Sequence, residues 1–345
     1  MNLVPPLPNE DLEHVLEQTR SLWEQLRGKR LFITGATGFF GIWLLETFSF
    51  ANEKLGLGAE LVGLTRNPAA FAAKAPHIVA NPSISFHQGD VRDFEFPTGE
   101  FSHVIHAGTT SSAPVPPLEM LDTITQGTRR VLDFSVAAGV KRFLFVSSGA
   151  VYGQQPSEMT HIPETYVGAP DPMNPASAYG EGKRVGELLC ALYHHQHGIE
   201  TTIARCFTFV GPHLPLDAHF AIGNFIRDAM NGEPITVNDG SPYRSYLYMA
   251  DLAIWLWTIL LKGQPCHPYN VGSDQENTIA ELAEIVASTL GGSVQPPSAS
   301  TANKNSPPSY YVPSVDCARS KLNLRIWISL DEAIVRTVAW HLSNS

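Results

Sequence analysis

A tyrosine and a lysine stand four residues apart in Tyr179-Gly180-Glu181-Gly182-Lys183. On a helix that spacing puts both side chains on one face, about one turn apart. A phenol ionises near ~10 and carries protons poorly at neutral pH. A neighbouring ammonium stabilises the phenolate and lowers that value. Tyr179 could then take a proton from a hydroxyl, or return one to a carbonyl, as hydride moves. Lys183 could also bind a nicotinamide ribose. Alone the pair is a common coincidence. The segment Val146-Ser147-Ser148-Gly149-Ala150-Val151-Tyr152-Gly153 strengthens it, because it follows an apolar run. Parallel sheets present ligand-contacting residues at such strand ends. Ser148 could donate a hydrogen bond to a substrate oxygen and orient Tyr179. Outside that context a Ser-rich strand end is usually a cap.

A second constellation is Gly35-Ala36-Thr37-Gly38-Phe39-Phe40-Gly41, whose glycines are spaced three and three directly after the apolar run Arg30–Thr34. Gly35 suits a sharp turn, Gly38 leaves the backbone open to a diphosphate, and Gly41 lets a helix pack close to the strand. N–H groups at the helix start would face the anion. The competing explanation is a tight strand–helix turn with no ligand. Where an acidic residue after the second strand would hold adenosine ribose hydroxyls, this chain has Leu64-Thr65-Arg66-Asn67. Arg66 suits a 2′-phosphate, which leans the expectation to NADP, with NAD open. A solvated surface role for Arg66 is the alternative. Asp90 could accept from the adenine amino group, or merely cap a turn.

These groups need a scaffold. Strands are expected at Arg30–Thr34, Glu60–Thr65, Ser83–His87, His103–His106, Phe143–Ser147 and Thr201–Arg205. Helices are expected between them, notably Ile42–Ala51, Met120–Ala138 and Tyr179–His197. Alternation of this kind implies an α/β fold with a doubly wound parallel sheet covered on both faces. Residues 9–27 read as one amphipathic helix capped by Asn9 and ended by Gly28, with Leu12, Val15, Leu16, Leu22, Trp23 and Leu26 on one stripe. The expected division is a helical extension over 1–28, a dinucleotide-binding domain over 29–210, and a smaller lobe over 211–345 with some segments returning to the first domain. Residues 291–309, rich in Ser, Pro, Ala and Asn, read as an exposed loop, and Leu330–Leu342 as a final helix.

The chain has 345 residues with 23 Lys+Arg against 33 Asp+Glu, a formal charge of −10, which argues against a phosphate-backbone binder of nucleic acid. Its length provides ample core without a metal or disulfide staple. Cys190, Cys206, Cys266 and Cys317 are far apart with no CxxC pair, so they read as buried thiols in a reducing cytosol. The acidic, Pro-rich start is unlike a signal peptide, and the longest apolar run, interrupted by Asp251, is too short to span a bilayer. A cytoplasmic enzyme without membrane attachment is the expectation. His194, His195 and His197 have no carboxylate pair nearby to complete a metal site, and no metal is expected.

Together these residues resemble the extended short-chain dehydrogenase/reductase family, in the branch that modifies nucleotide-linked sugars. The resemblance runs from about residue 29 and includes Thr34–Gly41, Gly89–Asp93, His106-Ala107-Gly108 and Gly127-Thr128. Ser148, Tyr179 and Lys183 match the family's catalytic triad. Arg205–Pro212 resembles its RxxNxxGP segment, Asn224-Phe225 an Asn-bearing helix start, Arg244–Asp251 its RDFxYVxD segment, and Tyr269–Gly272 its NVG strand. The resemblance implies that the cofactor meets Gly35, Thr37, Gly38, Phe39, Phe40, Gly41, Arg66, Asp90, Val91, His106, Ala107, Gly108 and Ser147, besides Tyr179 and Lys183. It implies a nucleotide-diphosphate sugar held by Ser148, Thr208, Asn224, Arg244 and Asn270. Met120–Ala138 and Tyr179–His197 are similar to the helix pair of the family's homodimer, so a homodimer is expected. Their residues Leu132, Phe134, Leu188, Leu189, Leu192 and Tyr193 could equally face the monomer core. Thr109, Thr110, His213 and His219 are further candidates for the pocket.

Two departures bear on the reaction. Thr208 replaces the Asn of RxxNxxGP. The family's 4,6-dehydratases carry an Asp-Glu pair after the catalytic hydroxyl residue, and its decarboxylases a Glu nearby; here stand Gly149 and Ala150, which have no proton to give. Elimination and decarboxylation are therefore disfavoured. Hydride transfer at sugar carbon 4 is expected, by a 4-epimerase or a 4-ketoreductase with neither preferred. A non-catalytic dinucleotide sensor is a poor fit, since the Tyr–Lys pair is kept.

Overall fold

A computed structural model describes residues 3–108, 115–218, 220–295 and 309–344. Thr109, Thr110, His219 and residues 296–308 of the expected loop lie outside the described residues.

The chain alternates as its apolar pattern requires. After α1 (Asn9–Thr19) come β1 (Arg30–Thr34), α2 (Phe39–Leu55), β2 (Glu60–Thr65), α3 (Pro68–Lys74), α4 (Pro76–Val79) and β3 (Ile84–Gln88). There follow β4 (His103–His106), α5 (Pro117–Ala137), β5 (Arg142–Ser148), α6 (Ala178–His197) and β6 (Glu200–Cys206). The six expected strands are all present, shifted by at most one residue at an end. With β11 (Pro268–Val271), they form a seven-stranded sheet in the order β11-β6-β5-β4-β1-β2-β3, parallel at every pairing from β3 to β6. This is the doubly wound Rossmann arrangement. Chain order reverses between β1 and β4, and ligands of such sheets bind where the carboxyl ends of those strands part. Both strands are buried along nearly their whole length, as strands covered on two faces must be.

By compactness the described chain divides into two units. The first comprises Met1–Gly153, Ala169–Cys206 and Ala253–Tyr269. Its core is aromatic: Phe32, Phe94, Phe101, Phe134, Phe143 and Phe145 are buried together, with the Phe32 and Phe134 rings 4.7 Å apart. The amino-terminal segment belongs to this unit but is not one helix over 9–27. It stops at Thr19 and resumes as a 3-10 turn over Trp23–Leu26. Thr19 bonds back to the Val15 carbonyl and accepts the Trp23 indole N–H at 2.8 Å, and the break turns Trp23 onto Trp257, ring centroids 4.8 Å apart. Pro8, not Asn9, stands at the cap, and the Asn9 side chain donates to Glu13 instead.

The second unit comprises Gln154–Gly168, Phe207–Leu252 and Asn270–Ser345. It contains β7 (Phe209–Val210), α7 (Ala221–Met230), β8 (Ile235–Thr236), β9 (Tyr243–Arg244) and β10 (Leu247–Tyr248), and the start of α8 (Met249–Lys262). Its later part holds β12 (Asn277–Thr278), α9 (Ile279–Leu290), β13 (Val294–Gln295), β14 (Tyr310–Tyr311), α10 (Asp316–Leu322) and α11 (Leu330–Ser343). Its strands are two residues long and pair as β7 with β10, β8 with β13, and β9 between β12 and β14. Helices α7, α9 and α11 pack on one another. Side chains do much of the joining: the buried Asp251 carboxylate accepts the Trp327 and Ile328 N–H groups at 3.0 and 3.2 Å, fixing the approach to α11. Among the described residues no helix is long and apolar enough to cross a membrane.

Candidate active site

The glycine turn joins β1 to α2. Gly35 has φ +70°, and a Cβ there would lie 2.6 Å from the Ala107 carbonyl oxygen, so only glycine fits. A Cβ on Gly41 would lie 2.2 Å from the Gly35 carbonyl oxygen, which seats α2 tightly on the turn. Gly38 differs: it is exposed, and a Cβ there would meet only the Gly35 oxygen, at 3.4 Å. No side chain caps α2 at Gly38. A closed turn with one open glycine at an uncapped helix start fits a dinucleotide diphosphate. Thr37, Phe39 and Phe40 are half-buried around it.

Beside this turn, β4 ends in His106-Ala107-Gly108. The Gly108 N–H donates to the Thr34 hydroxyl at 3.0 Å, tying β4 to β1. The His106 side chain is engaged within the fold, a structural role rather than that of an acid. It is buried, with Nδ1 2.6 Å from Thr34 Oγ1 and Nε2 3.0 Å from Thr128 Oγ1. Burial, then the Lys183 charge, holds this imidazole near about 3, so it is neutral. Asp90 is likewise engaged in its own turn: its carboxylate accepts from Arg92 Nε at 2.8 Å, Arg92 Nη2 at 3.1 Å and the Arg92 N–H at 3.0 Å. These bonds close the turn after β3. Val91 packs against Gly127 of α5, where a Cβ would come within 2.9 Å of it. Arg66, at the end of β2, is exposed.

The acid–base group lies on β5 and α6. Ser148 ends β5 in extended conformation and accepts the Ala150 N–H at 3.1 Å, starting a 3-10 turn over Gly149–Tyr152. A second 3-10 turn, Pro175–Ser177, capped by the Asn174 side chain, runs directly into α6 and delivers Tyr179 in its first turn. The Tyr179 phenol is hydrogen-bonded to Ser148. Lys183, one turn on, is buried and donates to the Val146 carbonyl at 2.7 Å. Its Nζ lies 5.0 Å from the Phe145 ring centroid and 5.8 Å from that of Tyr179. Helix and strand can approach this closely because residue 186 is glycine; a Cβ there would come 2.4 Å from the Phe145 ring.

The electrostatics correct one expectation. Burial pushes the Tyr179 phenol up, and the Ser148 hydrogen bond opposes that shift. The lysine was expected to pull it down, but its ammonium is turned to the Val146 carbonyl. Burial also pulls Lys183 down to about 8, against Cys206, Glu187 and Cys190, which favour its charge.

Ser147 was expected at the cofactor. Its hydroxyl instead donates to Glu187 Oε1 at 2.6 Å. Glu187 is gripped by Arg205, Nε to Oε1 at 3.0 Å and Nη2 to Oε2 at 2.6 Å, and Arg205 Nη1 donates to the Tyr152 hydroxyl at 3.0 Å. Sequence reading missed this network. The available signal was Glu187 itself, four residues beyond Lys183 and so on the same helix face.

In the second unit the expected ligand residues have different occupations. Asn270 is fully buried, and its amide donates to the carbonyls of Ile162 and Ser314 at 2.8 and 3.0 Å. It clamps the chain, and its side chain is not presented to a ligand. Thr208 donates to the Ser245 carbonyl, joining the segments before β7 and β10. Asn224, half-buried on α7, accepts from Arg227 at 3.2 Å. Arg244, half-buried on β9, donates to its neighbour's carbonyl at 2.7 Å and to Ser309 at 3.3 Å. His213 is packed edge-on against Trp340, centroids 4.4 Å apart. Among the described residues no cluster of three or more His, Cys, Asp or Glu could hold a metal ion.

Comparison with known proteins agrees with this fold. The family model described as the NAD dependent epimerase/dehydratase family matches residues 31–272. UDP-glucuronic acid decarboxylase 1 of Arabidopsis thaliana is 31% identical over 319 residues, spanning 90% of this chain and 69% of that protein. The fold is similar to that of UDP-glucose 4-epimerase from Thermotoga maritima, solved with UDP-glucose, at a TM-score of 0.73 and 20% identity over 91% of this chain and 99% of that one. It is equally similar to DesIV, a dTDP-glucose 4,6-dehydratase of Streptomyces venezuelae solved with NAD, at a TM-score of 0.73 and 24% identity over 91% and 97% of the two chains. With an open glycine turn and a Ser–Tyr–Lys group on one Rossmann sheet, and a family match across most of its length, the chain belongs to the NAD-dependent epimerase/dehydratase family of extended short-chain dehydrogenases.

Proposed function

We propose that this enzyme oxidises carbon 4 of a nucleotide-diphosphate sugar, with Tyr179 as the proton carrier, Ser148 as its hydroxyl partner and Lys183 as the supporting cation. The observation that carries this reading is the Ser148–Tyr179 hydrogen bond with buried Lys183 one helical turn away. NAD, held at the Gly38 turn, supplies the hydride acceptor and donor. Tyr179 takes the proton of the carbon-4 hydroxyl and returns it. Ser148 holds the sugar oxygen and the phenol in line. Lys183, anchored on the Val146 carbonyl, supplies a positive charge one helical turn from Tyr179 and is placed to bind the cofactor ribose.

What becomes of the oxidised sugar separates two readings. Curated relatives include a UDP-glucuronic acid decarboxylase, which supports decarboxylation of a UDP-hexuronic acid as the first reading. A ketone at carbon 4 is β to the carboxylate on carbon 5, so the bond to the carboxylate can break with its electron pair passing to a carbon-4 enolate; carbon dioxide leaves, and the enolate takes a proton from water at carbon 5 without a dedicated protein acid. Gly149 and Ala150 therefore weigh less against decarboxylation than their lack of protons first suggests. They do weigh against elimination of water, and so favour inversion or reduction at carbon 4 as the second reading. NAD is preferred to NADP: the matched family is NAD-dependent and DesIV was solved with NAD, while Arg66 stands exposed in solvent. A second copy of the chain is the proposed cover for Leu118 of α5 and for Val185, Leu188 and Leu192 of α6, all exposed.

The test is product analysis. The purified enzyme is incubated with NAD and UDP-glucuronic acid, then with NAD and UDP-glucose. Carbon dioxide and a UDP-pentose support the first reading, and carbon-4 inversion supports the second. Turnover that survives intact in Tyr179→Phe would remove the basis of both.

A further inference from the structure

The Ser–Tyr–Lys group is assembled from a strand end and a helix, and something must hold their register. The helix presents Tyr179 and Lys183, and the next residue on that face is Glu187. Its carboxylate is mostly buried, as is the Arg205 side chain, with relative exposures of 13% and 14%. One Glu187 oxygen receives the Ser147 hydroxyl at 2.6 Å. The carboxylate as a whole is chelated by Arg205 at 2.6–3.3 Å. Arg205 in turn grips the Tyr152 hydroxyl at 3.0 Å, at the end of the 3-10 turn that Ser148 begins. Thus α6, the last residues of β5 and the end of β6 meet on one carboxylate, and the following turn joins them through Arg205.

We propose that Glu187 is a positioning residue: chelated by Arg205, it fixes Ser147 and the adjoining Ser148 against Tyr179 and Lys183. The proposal rests on the reading of Ser148, Tyr179 and Lys183 given above. A bidentate guanidinium–carboxylate pair sets angle as well as distance, so its loss lets the strand end and helix drift. Reacting groups held a fraction of an ångström out of place lose rate steeply. Glu187 acts on charge as well. Lys183 faces Tyr179, Glu187 and Cys190 of its own helix, His106 of β4 and Cys206 of β6. His106 is neutral, and the two thiols are buried. Glu187 is thus the carboxylate of this set, and it helps keep Lys183 an ammonium.

Glu187→Gln, Arg205→Lys, Ser147→Ala and Tyr179→Phe are compared in the NAD-loaded enzyme. The probes are UDP-glucuronic acid and UDP-glucose, and Tm and pH profiles are recorded. In Glu187→Gln turnover is expected to fall roughly 10- to 100-fold with KM changed by less than about threefold. The alkaline limb of its pH profile moves to lower pH, because the Glu187 charge that favours the Lys183 ammonium is removed. Ser147→Ala removes a single hydrogen bond and folds even where Glu187→Gln does not; its turnover is expected to fall about 10-fold. Arg205→Lys keeps the charge but loses the fork, so it lowers turnover without moving the limb. Unchanged turnover and pH limb in Ser147→Ala and Glu187→Gln, with only Tm lowered, overturn the proposal. If Tyr179→Phe retains full turnover, the underlying mechanism fails instead. Should the wild type turn over neither probe, crystal structures of the NAD-loaded wild type and Ser147→Ala decide. An unaltered Ser148–Tyr179 hydrogen bond in the variant overturns the proposal, and a broken one upholds it.

Discussion

The two units handle their polar side chains differently. In the first, long regular strands satisfy the backbone, so the residues at the strand ends are left to bind, orient and titrate: Gly38 is open, Ser148 meets Tyr179, and Lys183 is buried one turn away. In the second, strands are two residues long, and side chains stand in for missing ladder bonds. Asn270 ties two chain segments, Thr208 a third contact, and Asp251 a fourth. Motif residues therefore divide in part by local architecture: the regular backbone of the first unit leaves Gly38 and Ser148 available although His106 and Ser147 serve the fold, and the irregular backbone of the second recruits its motif side chains for structure.

The largest effect that would break this contrast is at Tyr179. Tyr179→Phe should lower turnover about 10²- to 10⁴-fold, leaving NAD affinity and Tm close to wild type, measured by titration and calorimetry. A large loss of Tm instead would place Tyr179 with the structural residues.

Asn270→Ala should do the reverse. Two buried carbonyls lose their donor, at about 1–3 kcal/mol each, and chemical denaturation should report a loss of that order with KM little changed. A raised KM at unchanged stability would make Asn270 a ligand contact.

The contrast sharpens with pH. Lys183 in the folded chain is pulled down to about 8 by burial, so its ammonium is complete below that pH and is lost as pH rises through it. Turnover should fall on the alkaline side with an apparent pKa of about 8, and the linked stability has its own sign. Between about 8 and the lysine's ordinary value the unfolded chain binds the extra proton, so this group's burial penalty shrinks as pH rises. An activity profile flat to high pH would remove Lys183 from the proton-handling group.

The smallest expected effect is at Arg66. Arg66→Ala should leave NAD affinity within about twofold, since the guanidinium is solvent-exposed and such groups contribute little. Loss of a clear NADP preference in that variant, measured by competition binding, would reinstate the 2′-phosphate reading.

Much of the first unit was legible because its signals are local. The strand boundaries Arg30–Thr34, Glu60–Thr65 and His103–His106 follow from apolar runs between turns, and Tyr179 with Lys183 follows from helical spacing. The amino-terminal segment reads as one helix because its apolar stripe is continuous in sequence. Only the packing of Trp23 on Trp257, far away in the chain, breaks it at Thr19. Of the helix residues left open, Leu132, Phe134 and Tyr193 are buried in the core, whereas Leu188 and Leu192 face outward.

The sequence by itself determined the doubly wound sheet, the glycine turn and the Ser–Tyr–Lys group. The sheet depends on the alternation of apolar runs, the glycine turn and the Tyr179–Lys183 pair on residues within a few positions of one another, and Ser148 on its place at a strand end. Tertiary structure alone decided that Ser147 serves Glu187, that the His106 ring bonds Thr34 and Thr128, and that Lys183 addresses the Val146 carbonyl. Those assignments depend on partners up to dozens of residues away and on burial, which sets both the hydrogen bonds available and the charge a side chain can keep.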